Sequence, residues 1–88
     1  MHAEADRPTA YRIMIVEDDA KLSAILGDEL RRFGHEVVEI PGDENVKEAF
    51  AAYLPDLVLL DINLPRYDGF YWCRQIRTIS KVPIVFIS

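Results

Sequence analysis

The chain has little sulfur and no excess of positive charge. Its single cysteine, Cys73, excludes an intrachain disulfide and fits a reducing compartment. No apolar run approaches the length needed to cross a bilayer. The opening MHAEADRPTA is charged, carries Pro8 and lacks the apolar stretch of a signal peptide, so residues 1–10 read as a loose tail. The net charge of −5 argues against binding of nucleic acid or an anionic membrane by bulk electrostatics. There is no internal repeat and no low-complexity segment. What remains is ordinary for a soluble globular domain: 88 residues, half of them apolar and 28% charged.

Four apolar, β-branched stretches alternate with three helical patterns. Arg12–Val16 (RIMIV) reads as a first strand. A helix follows with Leu22, Ile25, Leu26, Leu30 and Phe33 on one stripe, Asp19 as its N-cap and Gly34 as its stop. His35–Ile40 is a second strand, closed by Pro41-Gly42. Asp43 is the expected cap of a second helix carrying Val46, Ala49, Phe50 and Tyr53 inward, ended by Pro55. Leu57–Leu60 shows no polar alternation and is expected to be buried on both faces. Gly69–Ile79 reads as a third helix that packs Phe70, Cys73 and Ile76 inward; of Tyr71 and Trp72, one is expected to be exposed. Pro83–Ser88 is a fourth strand. The order β-α-β-α-β-α-β implies an open α/β sheet of parallel strands, with ligands at the carboxyl ends of the strands.

The most apolar run of the chain, LVLL, ends on a carboxylate, Asp61. The first strand ends on Glu17-Asp18, and the fourth on Ser88. In a 2-1-3-4 strand order Glu17, Asp18 and Asp61 meet at one edge. Carboxylates that close repel, so either one holds a proton or a cation lies between them. Oxygen donors with no His or Cys nearby favour a hard ion, Mg²⁺ before Zn²⁺. An isolated Glu-Asp-Asp after a strand is usually a solvated loop with a helix cap, and an isolated Asp is usually a cap. Two acidic loops at corresponding strand ends, with a hydroxyl at a third, point instead to a site. The chemistry they suit is phosphoryl transfer onto a carboxylate.

IMIVEDD, LVLLDINLPRYDG with its Asp-x-x-x-Pro-x-x-Asp-Gly spacing, and PIVFIS together resemble the receiver domain of bacterial two-component response regulators over residues 11–88. The resemblance implies a flavodoxin-like, CheY-type fold and a function as phosphoacceptor. It implies that Asp61 takes a phosphoryl group from the phosphohistidine of a sensor histidine kinase. Asp18, Asp61 and the backbone carbonyl of Asn63 would hold Mg²⁺, with Glu17 acting directly or through water. Ser88 takes the place of the family's switch Ser/Thr, and Pro65 and Gly69 shape the loop after the acceptor. Asp19 stays a cap. INLPRYDGFYWCRQIRTISKVPI is similar to the OmpR-type regulators of the BceR-like group, which carry a winged-helix DNA-binding output domain for transcription regulation. A cytoplasmic location follows.

The family's pattern continues with a fifth strand bearing a lysine, and two further helices. Lys81 lies at the amino end of the fourth strand and cannot serve as that lysine. The expectation is therefore a partial receiver whose last strand is an open edge. The surface of its first strand and first helix would be left apolar and wet, and the chain would self-associate or fold only marginally. DNA would be reached only through a domain outside this sequence. The chain's own chemistry would be limited to accepting phosphate and slowly losing it, so it is not expected to be an enzyme. Two other functions compete. A Mg²⁺-dependent aspartyl-phosphate phosphatase would want a second Asp two residues after Asp61, where Asn63 stands. A pseudo-receiver, an interaction module never phosphorylated, is disfavoured by the intact Glu17-Asp18-Asp61 set.

Overall fold

The computed structural model describes residues 10–88; the expected tail, apart from Ala10, falls on residues outside that range. Four strands, β1 (Arg12–Val16), β2 (Glu36–Ile40), β3 (Leu57–Asp61) and β4 (Ile84–Ile87), form one parallel sheet in the order β2-β1-β3-β4. Three helices join them: α1 (Ala20–Arg32), α2 (Val46–Tyr53) and α3 (Gly69–Arg77). The class is the one expected from the alternation of patterns, and the strand order meets the condition under which the ends of β1 and β3 adjoin. The register pairs Val16 with Leu60 and Asp61 with Ile87, so the ends of β1, β3 and β4 lie side by side.

The core lies on one face of the sheet. Met14, Val16, Val58 and Leu60 point to Val46 and Phe50 of α2 and to Trp72 and Ile76 of α3. Burial of each such side chain stabilises the fold by about 1.5–3 kcal/mol relative to exposure. The first helix covers the other face and lies close to β2. Its buried residues are Ser23 and Gly27, and a Cβ on Gly27 would come within 2.7 Å of Glu39 Oε2. Glu39 of β2 accepts a hydrogen bond from Ser23 Oγ at 2.9 Å and pairs with Arg31 at 3.0 Å.

Several expectations change at this level. The apolar stripe of α1 does not form a buried face: Ile25 and Phe33 are exposed and Leu26 and Leu30 are half-buried, because the helix turns its small residues to the sheet. The expected wet surface is thus found on α1 but not on β1, where Ile13 and Ile15 are both buried. The second helix is capped by Asn45, whose Oδ1 accepts from the Glu48 amide at 3.0 Å, and not by Asp43. Only one face of β3 is sealed, since Leu57 and Leu59 are half-buried. In α3 the inward residues are Gly69, Trp72 and Ile76, while Phe70 is exposed against Phe86 at a 4.9 Å ring separation and Cys73 is half-buried. Asp19 caps α1 as expected, its Oδ1 accepting from the amides of Lys21 and Leu22, and Gly34 follows the helix with φ +93°.

Candidate functional site

The carboxyl ends of β1 and β3 deliver three carboxylates to one place. Glu17, Asp18 and Asp61 each offer an oxygen within 4.8 Å of those of the other two. Glu17 and Asp61 are buried, and Asp18 is exposed at the rim. Each of the two buried groups is fixed by its own strand. The Glu17 amide donates to the Ile40 carbonyl at 3.0 Å, which extends the β1–β2 ladder one residue past Val16. Asp61 is the last residue of β3, and the next amide, Ile62, donates to the Ile87 carbonyl of β4 at 3.0 Å.

Local backbone donors orient the side chains. Glu17 Oε2 accepts from the Asp19 amide and Asp61 Oδ1 from the Asn63 amide, both at 3.0 Å. Each bond satisfies one oxygen and leaves the group's remaining acceptor capacity free. Burial pushes the Glu17 carboxyl above its ordinary value, and the adjacent Asp61 and Asp18 push it the same way; the bond from the Asp19 amide opposes them. The donor set is all oxygen, crowded and electrostatically uncompensated, which is the environment a hard divalent cation relieves. Glu17, Asp18 and Asp61 therefore fit such an ion.

The loop after Asp61 owes its path to Gly69. A Cβ there would collide with the Asp61 carbonyl oxygen, and the Gly69 amide donates to the Ile62 carbonyl at 2.9 Å. Asp68 then caps α3, accepting from the Tyr71 amide at 2.8 Å. The Asp-Gly pair of the sequence thus ties β3 to the helix behind it. Pro65 is exposed in the same loop.

Of the residues singled out in the sequence, Glu17, Asp18 and Asp61 are brought together. Asn63 is exposed two positions beyond Asp61 and contributes the amide described above. Ser88 lies at the same edge, one residue past the Ile87 that pairs with Asp61. Two residues given no role in the sequence lie nearby. Ser23 and Glu39 line a depression with Glu17 and Asp18, and their mutual hydrogen bond closes its floor. The sequence does carry a signal for Glu39: it is the one inward carboxylate in the strand EVVEI, on the face turned to α1.

Comparison with known proteins agrees with this geometry. The response regulator receiver domain family matches residues 13–88. The chain belongs to that family. The transcriptional regulatory protein YvcP of Bacillus subtilis is 58% identical over 78 residues, 89% of this chain and 33% of that protein. The sensory transduction protein BceR of Halalkalibacterium halodurans is 44% identical over 78 residues, again 89% of the chain and 34% of that protein. The receiver domain thus spans about a third of the length of the curated relatives it matches. Among solved structures, the N-terminal domain of the nisin resistance regulator NsrR superposes with a TM-score of 0.79 at 40% identity, covering 88% of this chain and 65% of that one. The BeF3-activated N-terminal receiver domain of Klebsiella pneumoniae RstA gives 0.81 at 39% identity, covering 85% and 64%. The receiver fold and the kinship with OmpR-type regulators expected from the motifs are both shown. None of the receiver domain's described helices is long and apolar enough to cross a membrane.

Proposed function

We propose that this receiver domain is the phosphoacceptor of a two-component response regulator and that Asp61 is the acceptor. The observation that carries the reading is the convergence of Glu17, Asp18 and Asp61, two of them buried, at the carboxyl edge of the sheet. An Asp61 carboxylate oxygen attacks phosphorus, the bond from phosphorus to the donor imidazole of a sensor histidine kinase breaks, and the imidazole leaves with the electron pair. The product is an aspartyl phosphate, later hydrolysed by water. Burial fixes the Asp61 side chain, and the Asn63 amide holds one of its oxygens, which leaves the other for the attack.

Glu17, Asp18, Asp61 and the Asn63 backbone carbonyl would hold Mg²⁺, which when bound offsets the charge gathered between carboxylates and phosphoryl oxygens. Ser88, at the adjacent strand end, donates its hydroxyl to a phosphoryl oxygen. The names of the relatives, a transcriptional regulatory protein and a sensory transduction protein, support a transcriptional output; a DNA-binding domain outside this sequence and a cytoplasmic setting are part of the same proposal. The domain's own part in that pathway is to carry the phosphoryl group and not to turn over a substrate.

The test is intact mass after incubation with acetyl phosphate and Mg²⁺. One phosphoryl gain is expected, absent in Asp61→Asn and without Mg²⁺. No gain in the wild-type chain, with native secondary structure by circular dichroism, would reject the phosphoacceptor reading in favour of a non-phosphorylated interaction module. Catalytic turnover of a phosphate ester would instead indicate the phosphatase.

A further inference from the structure

Outside the acidic cluster, the loops after β2 and β3 enclose a cavity of about 250 Å³ against α3. Its lining includes Asp43, Glu44, Arg66, Tyr67, Tyr71 and Trp72. The three rings form a corner: Tyr67 stacks on Tyr71 at 4.2 Å between centroids, and Trp72 stands edge-on to both, at 88° to Tyr67 and 78° to Tyr71. The lining thus combines three aromatic rings with two carboxylates, the chemistry that holds an organic cation through the ring quadrupoles and a counter-charge. The volume lies below that of a drug-sized site and suits a group of side-chain dimensions. The chain's own cations leave these rings free among the described residues, where the cation–ring contacts are Arg12 over Tyr53 and Arg32 over Phe33. Arg66 contributes one positive charge against two negative ones, so the balance at the cavity stays negative.

We propose that this cavity binds a compact organic cation, a quaternary ammonium or a guanidinium, independently of the acidic cluster. Arg66 opposes the ligand by like charge, and Tyr67, which is exposed, supplies the accessible ring face.

Trp72 is the only tryptophan of the chain and lines the cavity, so its emission is the readout of binding. The 88-residue chain, saturated with Mg²⁺ at constant ionic strength, is titrated with choline and separately with dimethylbutanol, its uncharged carbon isostere. A saturable change with choline and none with the isostere is expected. Tyr67→Ala weakens the response about two- to fivefold, as expected for loss of one exposed cation–ring contact. Asp43→Asn combined with Glu44→Gln weakens it as well, Arg66→Gln strengthens it, and Asp61→Asn leaves it unchanged. A parallel titration with N-acetylarginine amide assigns the preference: tighter binding than choline marks an arginine side chain as the natural occupant, and weaker binding marks a quaternary ammonium. An unsaturable response, an equal response to the isostere, or wild-type affinity in a folded Tyr67→Ala chain would overturn the proposal.

Discussion

Gly69 shows how much one missing side chain decides. The place a Cβ would take is filled by the carbonyl of Asp61, so the end of β3 and the start of α3 approach as closely as backbone allows. Replacing it with alanine forces the strand end and the helix apart. Gly69→Ala should cost about 1–3 kcal/mol, in the range of overpacked sites, read as a lower denaturant midpoint. It should also slow phosphorylation of Asp61, measured by intact mass over time. Tyr53 makes a different residue-level prediction. Its hydroxyl is buried with no hydrogen-bond partner among the described residues, and burial together with the neighbouring Glu36 carboxylate holds its pKa above the ordinary 10.0. The folded state therefore keeps that proton more tightly than the unfolded chain. The associated stability is fully present below the unfolded value and is lost as pH rises through the folded one. Tyr53→Phe should be neutral or slightly stabilising near neutral pH and should flatten the loss of stability seen in urea titrations between about pH 9 and pH 11.

Among the elements, the helices separate what the sequence shows from what it hides. Asp61 alone reads as a cap; it becomes legible beside Glu17-Asp18 and Ser88, acidic and hydroxyl residues at the other strand ends. The acidic convergence follows once the strand order is assumed. The inward face of α3 is not legible. Gly69, Trp72 and Ile76 make that face, and a glycine gives no apolar signal, so the sequence pattern displaces the stripe onto Phe70 and Cys73. The same blindness affects α1, where Ser23 and Gly27 face the sheet and the larger Ile25 and Phe33 face outward. Asp43 and Asn45 are both good caps by residue type, and only the chain's path chooses Asn45. Asn45→Ala should therefore cost about 1 kcal/mol, whereas Asp43→Ala should stay within about 0.5 kcal/mol as a surface change. Thermal denaturation of the two variants in parallel checks the assignment.

For the whole molecule, the sheet determines association. Its edge strand β4 exposes Val85 and Phe86, and Phe70 of α3 lies beside them with its ring against Phe86. An apolar edge with free backbone donors and acceptors is a template for another strand. The 88-residue chain should sediment as a self-associating species, and Val85→Lys, which puts a charge on that edge, should shift it toward monomer. A wild-type chain that is monomeric across the accessible concentration range would refute the expectation.

The pairing of β1 with β3, which skips β2 in the chain, also has a consequence in time. Glu17 and Asp18 meet Asp61 only after a long loop containing β2 and α2 has closed, so no local fragment of the chain feels their mutual repulsion. The electrostatic cost of the site should therefore arise only once β1 and β3 have paired. It then bears mainly on how fast the native state opens and little on how fast it is reached. A cation entering that cluster would act as a latch on a sheet already assembled, slowing its opening without having guided its construction.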